Sequence, residues 1–85
     1  MSDRRVELTR GAERDHLRLG VEDRRAIIEA IEKFAAGQPG DLKKLAGYKP
    51  PRWPLRVGRF RAIVSLEPGL ITVQRVGDRR DVYRE

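Results

Sequence analysis

The chain of 85 residues has no cysteine, one histidine and one methionine. Without thiols there is no disulfide, no thiolate nucleophile and no zinc–thiolate site, and a single imidazole, His16, is too few for a histidine-built metal centre. No metal and no cofactor are expected, and packing alone must hold the fold. Long apolar runs are also missing. No window approaches the roughly 18 to 20 consecutive apolar residues that a membrane-spanning helix needs, and Met1-Ser2-Asp3-Arg4-Arg5 is charged where a secretory signal would be apolar. A soluble, cytoplasmic protein is the expectation. So short a chain has room for one modest core, which excludes a two-domain enzyme with an interdomain cleft and makes residues 1–85 a single domain.

Positive charge is what the chain has in excess. Nineteen Lys and Arg against 13 Asp and Glu give a formal charge of +6, so the partners to expect are polyanions or acidic proteins. The excess is unevenly spread: residues 1–51 carry 11 basic and 9 acidic side chains, residues 52–85 carry 8 and 4, and all eight of those bases are arginine. Arginine offers a planar fork of donors that matches phosphate oxygens, stays charged at any working pH and stacks on nucleobases.

The order of elements follows from periodicity. Val6 and Leu8 alternate with Arg5, Glu7 and Thr9, the pattern of a short half-buried strand. Thr9 can then cap a helix that runs through Ala12, His16 and Leu19 and stops at Gly20. A second helix begins at Val21 with Glu22 and Asp23 in its first turn, carries an apolar stripe of Ile27, Ile28, Ile31, Phe34 and Ala35, and ends at Gly37-Gln38-Pro39-Gly40. Asp41 can cap one more turn, Leu42 to Leu45, before Lys49-Pro50-Pro51 forces extended backbone. Strands are expected at 52–57 and 59–66, where apolar parity changes across Gly58, and at 70–76 after the Glu67-Pro68-Gly69 turn, with Gly77-Asp78 breaking the last.

This order predicts an α+β sandwich, with an N-terminal strand and a helical hairpin on one face of a mostly antiparallel four-stranded sheet. Trp53, Leu55, Val57, Phe60, Ala62 and Val64 share the parity that faces the helices. Alternate side chains leave a strand on opposite sides, so Arg52, Arg56 and Arg61 must point the other way, onto an uncovered surface that Arg79 and Tyr83 can reach from the chain end. That surface is the candidate site.

Three segments then gain a common meaning. Leu42-Lys43-Lys44-Leu45-Ala46-Gly47-Tyr48, Leu55-Arg56-Val57-Gly58-Arg59-Phe60-Arg61-Ala62-Ile63-Val64 and Arg75-Val76-Gly77-Asp78-Arg79-Arg80-Asp81-Val82-Tyr83-Arg84 resemble, in that order, the leucine-rich turn, the hairpin and the closing motif of the RelE/ParE superfamily of bacterial type II toxins. The closing tyrosine resembles the RelE branch. That resemblance implies the small RelE-like fold and a ribosome-dependent messenger endoribonuclease, which inhibits translation and is silenced by a cognate acidic antitoxin. Its partners are then the antitoxin, the ribosome and the messenger.

The implied chemistry is metal-free attack by a ribose 2′-hydroxyl on its own 3′-phosphate. By resemblance Arg61 holds the scissile phosphate, Arg79 assists at the leaving 5′-oxygen, and Tyr83 stacks on a base or moves a proton. Arg52, Arg56, Arg80, Lys43 and Lys44 are the RNA- and phosphate-binding candidates. Where RelE-like toxins often place two lysines in strand two, this chain has Arg52 and Pro54, with Arg56 one step on. Two other readings stay open: a ParE-like DNA gyrase inhibitor, and a noncatalytic relative whose basic face only receives an antitoxin.

Overall fold

A computed structural model of the chain describes residues 4–38 and 52–82. The elements run β1 (Arg5–Leu8), α1 (Arg10–Leu17), α2 (Val21–Ala35), β2 (Trp53–Val57), β3 (Phe60–Glu67) and β4 (Leu70–Asp78). Two helices lie on one sheet of order β1-β4-β3-β2, in which β1 runs parallel to β4 and the other pairs are antiparallel. This is the α+β arrangement read from the sequence. The helical turn expected at 42–45 lies outside the described residues. Among the described residues no helix is long and apolar enough to cross a membrane.

Local chemistry sets the element boundaries. The Thr9 hydroxyl accepts from the Ala12 N–H at 3.1 Å, which caps α1, and donates to the Gln74 carbonyl at 3.0 Å, which pins that cap to β4. At the far end of α2, Gly37 takes a left-handed φ of 97°. The N–H groups of Gly37 and Gln38 return to the Phe34 and Lys33 carbonyls, each at 3.1 Å, and so satisfy the last turn. Gly58, at φ 59°, opens the two-residue turn between β2 and β3, where a positive φ lets the turn match the twist of the flanking strands.

The core forms between one face of the sheet and the inner stripes of the helices. Ala12, Ile27, Ile31, Phe34 and Ala35 bury against Leu55, Phe60, Ala62, Val64, Ile71, Val73 and Val76. Trp53 and Val57 pack at its margin. Ile28, expected in the same stripe, is only half-buried. The helices divide the sheet between them: α1 lies along β4, and α2 reaches from β1 to β2.

Two features of β4 depart from the sequence reading. Its pairing with β3 shifts between Ile63 and Val64, since Ile63 faces Arg75 while Val64 faces Val73, and Gln74 is the extra residue of a β-bulge. The bulge changes the parity, so Val76 and not Arg75 follows Ile71 and Val73 into the core. Asp15 of α1 fills the gap in the ladder. Its Oδ2 accepts the Val76 N–H at 3.0 Å and the Arg75 Nε at 2.8 Å. The strand then continues to Asp78 instead of stopping at Val76, because Gly77 stays in the ladder opposite Arg61 and Asp78 pairs with Phe60.

Candidate functional site

The reverse side of the sheet is where alternation places the arginines. Arg56 of β2 and Arg61 of β3 are direct cross-strand partners, and Gly77 of β4 lies across from Arg61 on the other side. Ala62, in the core, fixes the parity: Arg61 and the side-chain position of Gly77 face away from the helices. Arg56 is exposed.

Arg61 is not on a bare surface, and this corrects the expectation of an uncovered face. It is only 6% exposed, and Pro54, Ile63 and Ser65 on the same side are buried too. Two local features act on Arg61. The Arg61 Nη1 turns onto its own hairpin and donates to the Gly58 and Phe60 carbonyls, each at 2.8 Å. Beyond β4 the chain folds back through Asp81 and Val82, whose N–H groups return to the Asp78 carbonyl, until the Val82 Cβ lies 3.9 Å from where a side chain on Gly77 would begin. Val82 therefore packs beside Gly77, the cross-strand partner of Arg61.

The remaining candidates separate by position. Arg79 is exposed just past β4, its N–H donating to the Arg59 carbonyl at 3.0 Å, so the end of β4 is tied to the β2–β3 turn. Arg80 is exposed beside it with its Nε 3.7 Å from Asp78. Arg52 stands four residues from Arg56, which at about 3.3 Å per strand residue puts it near the opposite end of the sheet. The structure thus gathers Arg56, Arg61, Arg79 and Arg80 at one end and leaves Arg52 out. Lys43, Lys44 and Tyr83 lie outside the described residues.

Two members of the cluster were missed from sequence. Arg59, at the tip of the turn, lies over the Phe60 ring with its Cζ 5.0 Å from the centroid, and its Nε is 3.9 Å from Asp78. Asp78 is the other. It accepts the Arg80 N–H at 2.9 Å and stands between the Arg59 and Arg80 guanidinium groups. Its carboxyl is held below the ordinary carboxylate value first by that backbone N–H, then by the charges of Arg80, Arg59 and Arg79, against an opposing desolvation penalty. The signal for Arg59 was available: a residue beside the turn glycine is carried to wherever the next strand ends.

Exposed guanidinium groups of Arg56, Arg59 and Arg79 at one sheet end form an electropositive surface suited to phosphate oxygens. The buried Arg61 holds the shape of the turn that carries Arg59. Among the described residues no group of three or more His, Asp or Glu side chains is arranged to hold a metal ion.

The layer order, the parallel β1–β4 pair and the closing hairpin define a RelE-like fold. The chain is similar in structure to one chain of the archaeal RelE–RelB complex from Pyrococcus horikoshii OT3, with a TM-score of 0.74 and 18% identity over 94% of this chain and 99% of that one. It is similar to a chain of the RelB–RelE antitoxin–toxin complex from Methanococcus jannaschii, with a TM-score of 0.73 and 22% identity over 91% and 94% of the two chains. The toxin–antitoxin complex RelBE2 from Mycobacterium tuberculosis gives a TM-score of 0.75 and 21% identity over 95% and 97%. No family model and no curated protein matches the sequence.

Proposed function

We propose that the chain is the toxin of a type II toxin–antitoxin pair, a RelE-like endoribonuclease that cuts messenger on the ribosome and is silenced by an acidic antitoxin. One observation carries the reading: a fold shared with RelE–RelB complexes over more than nine-tenths of this chain brings arginines of β2, the β2–β3 turn and the end of β4 to one place. Phosphoryl chemistry asks for that arrangement, because negative charge builds on the phosphate oxygens as the 2′-oxygen attacks and the 5′-oxygen leaves. Fixed cations stabilise the transition state without reorganising.

In this reading Arg79 is a catalytic residue at the leaving oxygen and Tyr83 stacks on a base or moves a proton. Arg56, Arg59 and Arg80 take flanking phosphates. Arg61 acts through the turn it holds, as a positioning residue, and adds its charge to the local potential. Arg52, Lys43 and Lys44 serve as outlying contacts to RNA. The chain's positive charge suits an acidic antitoxin, whose binding covers the same guanidinium groups.

The test is a translation extract supplied with the purified protein, with messenger 5′ ends mapped. Cuts confined to ribosome-occupied codons, and abolished by the antitoxin, are expected. Intact messenger with arrested gyrase would transfer the chain to the gyrase-directed class, and intact messenger with active gyrase would leave only antitoxin binding.

A further inference from the structure

The outer side of α2 carries a feature that the basic site does not use. Val21, Arg24, Arg25, Ile28, Glu29 and Glu32 recur every three or four residues and form a stripe beside the buried one. With His16 of α1 they line an open groove of about 470 Å³. The large hydrophobic residues that stand out as exposed among the described residues, Leu17 at 70% and Val21 at 55%, flank the corner joining α1 to α2, and Val21 lines the groove. The His16 Nε2 is buried, with no hydrogen-bond partner among the described residues.

Charge along the stripe identifies the occupant. Arg24 and Arg25 lie on one side of Ile28, Glu29 and Glu32 on the other. A partner of uniform charge meets one end well and the other badly. A helix of the same polarity laid in reverse matches both ends, and a second α2 is such a helix. Centred on Ile28, an antiparallel copy sets Arg24, four residues before, against Glu32, four residues after, and repeats that contact by symmetry, with Arg25 beside the same acidic end. A parallel copy would set Arg24 against Arg24. Glu29 is held by Lys33 at 2.9 Å within its own helix, so Glu32 is the main acidic contact.

We propose that this face of α2 is a two-fold interface through which the free chain self-associates, antiparallel about Ile28. The proposal does not depend on the ribonuclease reading. One helix face buries little area, so the dimer is a weak one, to be sought by sedimentation between about 10 µM and about 1 mM. The wild type should shift from monomer to dimer across this range. The charge-reversed pairs Arg24→Glu/Arg25→Glu and Glu29→Arg/Glu32→Arg should each weaken association at least about tenfold, and their equimolar mixture should recover it as a heterodimer. Circular dichroism of each variant checks that the exposed changes leave the fold intact. A wild type monomeric throughout, or a dimer indifferent to both reversals, overturns the proposal. So does a wild-type monomer in which only the antitoxin protects the amides of Leu17 and Val21 from exchange, since that assigns the groove to another occupant.

Discussion

Asp15→Ala tests how α1 is joined to the sheet. The carboxylate is 9% exposed and has two obligations at the β4 bulge: the Val76 N–H, at 3.0 Å, and the Arg75 Nε, at 2.8 Å. Removing it strands a buried backbone donor, which costs about 1 to 3 kcal/mol. The ion pair adds less, because the Arg75 side chain is 36% exposed and water screens it; about 0.2 to 1 kcal/mol is the measured range for such pairs. The expected loss is therefore about 1 to 4 kcal/mol, a large share of the roughly 5 to 15 kcal/mol that holds a domain together. At about 4 to 8 °C per kcal/mol for a chain this size, the midpoint of thermal unfolding should fall by at least about 5 °C.

Asp15→Asn separates the two contributions. Its side-chain oxygen still accepts the Val76 N–H, so only the charge is lost, and the cost should drop to about 1 kcal/mol. Urea denaturation followed by circular dichroism gives both differences, and amide exchange at Val76 reports the local bond. Asp15→Ala unfolding within about 0.5 kcal/mol of wild type would refute the reasoning, because the bulge would then need no acceptor.

Four further outcomes are expected. Arg61→Ala should lower stability by about 1 to 3 kcal/mol in urea titrations, since the Gly58 and Phe60 carbonyls lose a buried donor, whereas Arg79→Ala should stay within about 0.5 kcal/mol. On the proposed function, Arg79→Ala should nonetheless slow messenger cleavage about 10² to 10³-fold in the extract assay. The folded Asp78 carboxyl titrates below its ordinary value of 3.8, so its contribution is complete above that value and is lost as pH falls through the folded one. The urea midpoints of wild type and Asp78→Asn should accordingly differ at neutral pH and converge as the medium is acidified. Gly58→Ala should cost about 1 to 2 kcal/mol from the left-handed backbone alone, because nothing lies within 4 Å of the added methyl; an unchanged urea midpoint would contradict the turn geometry.

The sheet and helices were legible because each rests on local chemistry. Thr9 announces its cap, Gly37 its helix end, and the parity change across Gly58 its hairpin. The bulge was not legible, because it depends on Asp15, an acid 60 residues from Arg75 in sequence that reads as one more exposed charge on a short helix. Asp78 was obscured in a similar way. A Gly-Asp pair reads as a strand breaker, yet here Gly77 stays in the ladder and Asp78 becomes the acceptor around which Arg59 and Arg80 settle. For the site, alternation correctly gave the face on which Arg56 and Arg61 lie. It could not give exposure, because that depends on where the chain goes after the strand ends.

Gathering guanidinium groups carries an electrostatic cost that the fold must offset before any anion arrives. Two unit charges about 8 Å apart repel by roughly 2 kcal/mol at an effective dielectric near 20, and by roughly 0.5 kcal/mol in water. Several arginines at one sheet end therefore oppose folding unless something counters them. Arg61 is answered by two carbonyl dipoles, and Arg59 and Arg80 by Asp78. Arg79 is exposed beside that arrangement and joined to it through its backbone. Arg61 thus builds the surface from beneath, held by carbonyls of its own hairpin, whereas the exposed arginines around it present charge. This explains why burial of Arg61 is compatible with a basic site. The turn it holds is what brings Arg59 and, through the backbone, Arg79 to the same place.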